Sequence, residues 1–259
     1  MNKITTVIFD WAGTTVDYGS FAPVDAFLAA FKAFGITPTI DETRAPMGLP
    51  KRDHIALMLA GERLANQWLS QHGRSVQDQD IDTIYQRFEP ALFDVLPAYA
   101  QPLPGVIDTV QTLREMGIAI GSTTGYTEEM MDVLAPLARD ADYAPDSLVC
   151  PDAVGGVGRP YPYMLWRNLE LLGTLSINQV LKVGDTAADI AEGKNAGVLS
   201  IGILTGSSMV GLSAEEIDQL NTEQIQARFK LAEQGYFAAG ADYVLESISK
   251  LPELIMSLG

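Results

Sequence analysis

From about residue 98 onward, short apolar runs alternate with segments whose apolar residues recur every three to four positions. The runs predict strands at Ile118–Ser122, Ser147–Cys150, Gln179–Val183, Val198–Leu204 and Tyr243–Leu245, and the helical spacing predicts helices over Val106–Met116, Thr127–Leu137, Tyr161–Leu172 and Ala187–Ala196. An earlier run, Ile4 to Phe9, reads as a first strand ending at Asp10. Repeated strand–helix units predict a parallel sheet covered by helices on both faces. The stretch from Ser20 to Tyr99 breaks this rhythm, with several helical patterns and no convincing strand. Within it Val24, Phe27, Leu28, Phe31 and Phe34 fall on one helical face. Pro97, Pro102, Pro104 and Gly105 punctuate the return to the strand–helix pattern.

The expected architecture is therefore α/β: a Rossmann-like parallel-sheet core formed by residues 1–19 and 100–259, with an inserted helical cap domain of residues 20–99. No internal repeat or low-complexity tract is visible. A chain of 259 residues that is 47% apolar can bury a full core and a smaller second unit. Its formal charge of −16, without a Lys/Arg cluster, argues against nucleic acid as a partner, because a phosphate backbone needs clustered cations. The same field opposes an anionic small molecule, so a phosphorylated substrate would need a metal and a few chosen basic side chains. No apolar stretch approaches the roughly 18 residues of a membrane span. Met1-Asn2-Lys3 leads into the first strand without a signal-peptide pattern, so the expectation is a cytoplasmic protein with no membrane partner. Cys150 is the only cysteine, which excludes an intrachain disulfide, and it reads as a core thiol.

Candidate chemistry collects at predicted strand ends. Asp10 closes the first strand and opens the small-residue turn Trp11-Ala12-Gly13-Thr14-Thr15, which presents a carboxylate at the carboxyl edge of the sheet, where open α/β sheets bind ligands. Gly121-Ser122-Thr123-Thr124-Gly125 follows another strand and can offer hydroxyl and N–H groups to phosphoryl oxygens. Gly158-Arg159-Pro160-Tyr161-Pro162 places a basic residue near a helix start, and Gly184-Asp185-Thr186-Ala187-Ala188-Asp189 places two carboxylates one helical turn apart. Singly these are weak signals; their joint order is a strong one. Together they resemble the four motifs of the haloacid dehalogenase superfamily. That resemblance implies Asp10 as nucleophile toward phosphorus, Thr124 and Arg159 as phosphoryl-binding groups, and Mg2+ as cofactor. Asp10, the carbonyl of Ala12 and Asp185 would hold the metal, with Asp189 in support. Hard oxygen ligands suit that ion.

The first motif departs from the usual Asp-x-Asp-x-Thr, because Ala12 replaces the second Asp, the acid that protonates a leaving oxygen in phosphatases. In the insertion, Met47-Gly48-Leu49-Pro50-Lys51-Arg52-Asp53-His54 has Pro50 placed to open a helix with Lys51 in its first turn and His54 three residues on. A helix N-terminus and a nearby metal would both lower the Lys51 pKa. By position alone, however, Lys51 reads as a solvated lysine and His54 as a surface or satisfied histidine. What changes that reading is the resemblance, over nearly the full chain, to the phosphonatase family, carried by Phe9 to Gly19, Pro46-Met47-Gly48, Gly121 to Tyr126 and Gly158 to Pro162. It implies cleavage of the phosphorus–carbon bond of a small phosphonate, phosphonoacetaldehyde, through a Schiff base on Lys51. Met47, His54 and Tyr126 would be its neighbours and Gly48 would allow close approach of the insertion; Gly125 would bind the phosphoryl group with Thr124. A protonated imine accepts the electrons of the breaking bond, so no acid is needed at position 12. The resemblance also implies a homodimer. The alternatives are a phosphate-ester hydrolase or phosphomutase of the same superfamily, disfavoured by Ala12, and a catalytically silent protein, disfavoured by the retained Asp10 and Asp185.

Overall fold

The computed structural model describes residues 3–258. Met1 and Asn2, on which the expectation of no signal peptide rests, lie outside the described residues.

Six strands form one parallel sheet: β1 (Thr6–Phe9), β2 (Ala119–Thr123), β3 (Ser147–Val149), β4 (Val180–Gly184), β5 (Leu199–Ile203) and β6 (Tyr243–Leu245), in the spatial order β3-β2-β1-β4-β5-β6. Every expected strand is present, with ends shifted by a residue or two. The central strands are buried along their length because helices cover both faces, and for that reason their sequences run apolar instead of alternating. Val7 and Phe9 point into the main core, whereas Ile8 packs on the opposite face with Leu165 and Leu169.

Between β1 and β2 the chain forms α1 (Phe21–Lys32), α2 (Ile40–Arg44), α3 (Lys51–Ala60), α4 (Glu62–His72), α5 (Asp78–Val95) and then α6 (Val106–Glu115). No strand occurs among residues 20–99, and α1 and α5 pack together through Phe27 and Phe88, whose rings stack at 4.2 Å. Two of the remaining helices that border the site start at side-chain caps. Thr127 accepts from the N–H of Met130 at the head of α7 (Glu128–Asp140), and Thr186 accepts from that of Asp189 at the head of α9 (Ala187–Ala196). The helix expected from Tyr161 is α8 (Tyr163–Leu171), shortened because Pro162 takes the cap position, and α7 runs past Pro136 to Asp140, beyond its expected end. Between Leu204 and Tyr243 and after Leu245, where the sequence pattern predicts no element, the chain forms α10 (Ala214–Asp218), α11 (Thr222–Ala238) and α12 (Leu251–Leu258). Cys150 is buried, as expected of a core thiol. Among the described residues no helix is long and apolar enough to cross a membrane.

The strand order places β1 at the centre. From it the chain builds outward through β2 and β3 on one side, then returns to build β4, β5 and β6 on the other. The carboxyl ends of β1, β2 and β4 thus meet at a topological switch point, where the connecting segments diverge and leave a crevice.

Candidate active site

Asp10 leaves β1 with its N–H donating to the Val183 carbonyl of β4 (2.9 Å), which fixes its carboxylate beside the end of that strand. The following turn folds on itself: the N–H groups of Thr14, Thr15 and Val16 all converge on the Trp11 carbonyl. Gly13 sits there at φ +83°, and a Cβ on it would come within 2.1 Å of Asp185 Oδ2, so only glycine lets this turn approach β4.

Asp185 directly follows β4 and is fully buried. Its Oδ2 accepts from the Ser208 N–H (2.8 Å), and its backbone carbonyl lies 2.9 Å from the Tyr236 hydroxyl of α11, which is also 2.7 Å from the Ile203 carbonyl. Its Oδ1 has no protein partner. Burial, then Asp10 and Asp189, push the Asp185 pKa well above the usual carboxylate range. Burial likewise raises Asp10, partly offset by Arg159, whereas Arg159 and Lys182 hold Asp189 below its ordinary value despite burial. Asp10, Asp185 and Asp189 each offer an oxygen within 4.8 Å of the others. The acidic cluster with an orphaned oxygen, all from hard donors, fits a metal cation.

Arg159 enters from the loop after β3 and is buried against four groups. Nη2 pairs with Asp10 Oδ1 (2.6 Å) and donates to the Thr123 carbonyl and hydroxyl (both 2.8 Å); Nη1 pairs with Asp189 Oδ1 (3.1 Å), and Nε with Glu192 Oε2 (3.1 Å). Thr124 follows β2, and its hydroxyl accepts from the Tyr126 N–H (3.1 Å).

The insertion closes the crevice from the other side. Gly48, at φ +90°, touches the start of α9: a Cβ on it would lie 2.5 Å from Thr186 Oγ1. Pro50 is the N-cap of α3, and Lys51 is its first residue. Although lysine is a surface residue by habit, Lys51 is only 6% exposed; its Nζ lies 4.9 Å from the Tyr126 ring centroid and 6.0 Å from that of Phe27. Its pKa is lowered to about 8, first by burial, with Asp10 opposing and Arg159 adding to the shift. Desolvation thus adds a cause that the sequence pattern, which points to the helix terminus and a metal, does not reveal. His54 is fully buried, stacks on Phe27 at 4.0 Å and has Nε2 2.8 Å from the Thr43 carbonyl, leaving Nδ1 without a partner. Burial, then Lys51, lower its pKa to about 3, so the ring is neutral with its proton on Nε2.

Ten of the residues singled out from the sequence line one cavity of about 20 Å³: Asp10, Ala12, Met47, Gly48, Lys51, Thr124, Gly125, Tyr126, Arg159 and Asp185. His54 and Asp189 stand behind that wall. Ser20 and Thr186 line it too and were missed, as were Lys182, Glu192, Ser208 and Tyr236 behind it. Thr186 carried a legible signal, being the cap of a helix that starts at a motif. Ser208 and Tyr236 reach Asp185 from segments without a motif, and no local pattern could reveal them.

This fold and this set of strand-end groups define a class. The chain belongs to the haloacid dehalogenase-like hydrolases, whose family model matches residues 4–197. Within that class it falls among the phosphonoacetaldehyde hydrolases. It is 46% identical over 256 residues to a phosphonoacetaldehyde hydrolase of Lysinibacillus sphaericus, covering 99% of this chain and 95% of that one. It is 43% identical to a bifunctional phosphonoacetaldehyde hydrolase/aminoethylphosphonate transaminase of Clostridioides difficile, of whose length it spans 40%. A crystal structure of a phosphonoacetaldehyde hydrolase-like protein from Oleispira antarctica superposes with a TM-score of 0.95 at 37% identity, over 99% of this chain and 93% of that one.

Proposed function

We propose that this chain hydrolyses the phosphorus–carbon bond of phosphonoacetaldehyde to acetaldehyde and phosphate. The observation that carries the reading is the meeting, in one narrow cavity, of the Asp10 carboxylate and a buried Lys51 amine with a depressed pKa. An ordinary phosphatase has no use for that amine.

Lys51, neutral, attacks the aldehyde carbon, the adduct loses water, and the resulting imine takes up a proton from solvent to become the protonated imine. A pKa of about 8 leaves roughly a tenth of the amine neutral at pH 7, against roughly 0.04% for a free lysine. Tyr126 and Met47 pack around the amine, and neutral His54 offers Nδ1 as a hydrogen-bond acceptor while water leaves. Asp10 then attacks phosphorus; the phosphorus–carbon electron pair moves into the imine, and the organic fragment departs as an enamine still bound to Lys51. Arg159, Thr124 and Gly125 hold the phosphoryl oxygens. Water cleaves the aspartyl phosphate, and the enamine takes a proton on carbon and is hydrolysed to release acetaldehyde. Because the electrons go to the imine and no alkoxide forms, Ala12 can stand where a phosphatase has its acid. Asp10, the Ala12 carbonyl and Asp185 would hold Mg2+, which when bound neutralises the repulsion between the carboxylate and the phosphonate dianion. Asp189 supports the site by capping α9 and pairing with Arg159.

A cavity of about 20 Å³ holds about one water molecule. Residues 20–99 therefore act as a cap that opens to admit substrate and closes to exclude bulk water. The reading includes a homodimer in the cytoplasm; family resemblance supports the first and a single buried thiol is consistent with the second. The test is incubation with phosphonoacetaldehyde and Mg2+, following both products. Acetaldehyde and phosphate should appear in equal amounts, with little phosphate from simple monoesters. Phosphate from monoesters and none from the phosphonate would favour an ordinary phosphate-ester hydrolase.

A further inference from the structure

Lys182 occupies the middle of a central strand and is fully buried, as is Glu192 on the facing helix α9. Neither lines the cavity, and an apolar pair would fill the same space without the cost of desolvating two charges, a cost of several kcal/mol per ion that close pairing only repays in part. Their contacts run in one direction. Lys182 Nζ lies 2.9 Å from Glu192 Oε2, 3.1 Å from Asp189 Oδ1 and 2.7 Å from the Thr123 hydroxyl. Glu192 Oε2 also takes the Thr123 hydroxyl (2.9 Å) and Arg159 Nε (3.1 Å). Arg159 is thus gripped at its rear by Glu192 and Asp189 while its front Nη2 faces Asp10.

We infer that Lys182 and Glu192 are positioning residues for phosphoryl transfer: together they set how strongly Arg159 pulls on the Asp10 carboxylate. Without the rear carboxylate, the guanidinium would commit its charge to Asp10 and blunt it as a nucleophile. Without Lys182, Glu192 and Asp189 would draw Arg159 back and leave the phosphoryl oxygens less well neutralised. Lys51 comes from the insertion and makes no hydrogen bond or ion pair with Lys182 or Glu192; Asp10 and Arg159 act on its charge only through space. The two halves of the reaction should therefore respond separately.

The inference rests on the proposed phosphonate cleavage, and the test separates the two. Glu192→Gln keeps shape and loses charge; the double variant Lys182→Met/Glu192→Gln loses both charges and leaves no uncompensated ion. For each, kcat and KM with phosphonoacetaldehyde are measured beside borohydride trapping of the Lys51 imine. Both variants should lose about 10–100-fold in kcat, the range typical of supporting shells, with KM within a few-fold and trapping undiminished. Parental kcat in both, or trapping that falls in step with kcat, would overturn the positioning role. A parent protein that neither cleaves the phosphonate nor traps would instead sink the proposed function, whatever the variants do.

Discussion

Lys51 shows how far one side chain's environment can depart from its habit. By sequence position alone it reads as a solvated residue, and only the three-dimensional arrangement removes it from water and sets it against aromatic rings. A lysine with pKa near 8 gains neutral amine as pH rises through that value, so kcat/KM for the phosphonate should climb to about pH 8 and then level. A profile that is flat from pH 6 to 9 would remove the amine from the rate-limiting chemistry. Ala12 makes the complementary statement by what it lacks. Ala12→Asp would add a carboxylate to a cavity already bounded by Asp10 and Asp185, and would give Lys51 an anion to hold it protonated. Phosphonate cleavage should fall several-fold in steady-state assays; a several-fold gain would mean that an acid was missing after all.

At the level of elements, the site is built from turns that follow strands and from helix starts, and this is why so much of it was legible. A strand end, a small-residue turn and a cap lie next to one another in the chain, so Asp10, Thr124, Asp185 and the head of α9 each carried a local pattern. What was not legible is what arrives from a distance. Lys182 reads as one residue of an apolar strand and Glu192 as one residue of a helix; their pairing exists only once β4 and α9 pack. The C-terminal helices were missed although Phe229, Ala232 and Tyr236 sit at helical spacing on the buried face of α11, because polar residues surround them. Contact between the insertion and the core depends on Gly48 in its left-handed conformation against Thr186. Gly48→Ala should prevent full closure and lower kcat/KM by about 10–100-fold, as misplacement of reacting groups by an ångström can do. Its far-ultraviolet circular dichroism should match the parent. Unchanged kinetics would show that this approach is unnecessary.

For the molecule as a whole, function and stability pull in opposite directions at the sheet's carboxyl edge. Asp185 is buried, has an unpartnered oxygen and a pKa pushed far upward by burial and its acidic neighbours, so its ionised form destabilises the metal-free fold. The folded state holds this proton more tightly than the unfolded one, and its contribution to stability therefore declines as pH rises above the unfolded carboxylate range. Asp185→Asn, neutral at every pH, should raise the melting temperature without metal by about 2–4 °C per kcal/mol of relief. It should also abolish the stabilisation that Mg2+ gives the parent, as scanning calorimetry with and without chelator would show. A parent indifferent to Mg2+ would argue against the metal assignment. In the proposed mechanism closure brings two nucleophiles, Lys51 from the insertion and Asp10 from the core, onto one substrate. This mechanism is tested most directly by adding borohydride during turnover of phosphonoacetaldehyde and mapping the modified residue by mass spectrometry. Inactivation should require substrate and leave a single adduct on Lys51, and Lys51→Arg, whose guanidinium stays protonated, should lose both adduct and phosphorus–carbon cleavage. Cleavage by Lys51→Arg at a rate near the parent's, or an adduct on another lysine, would contradict it.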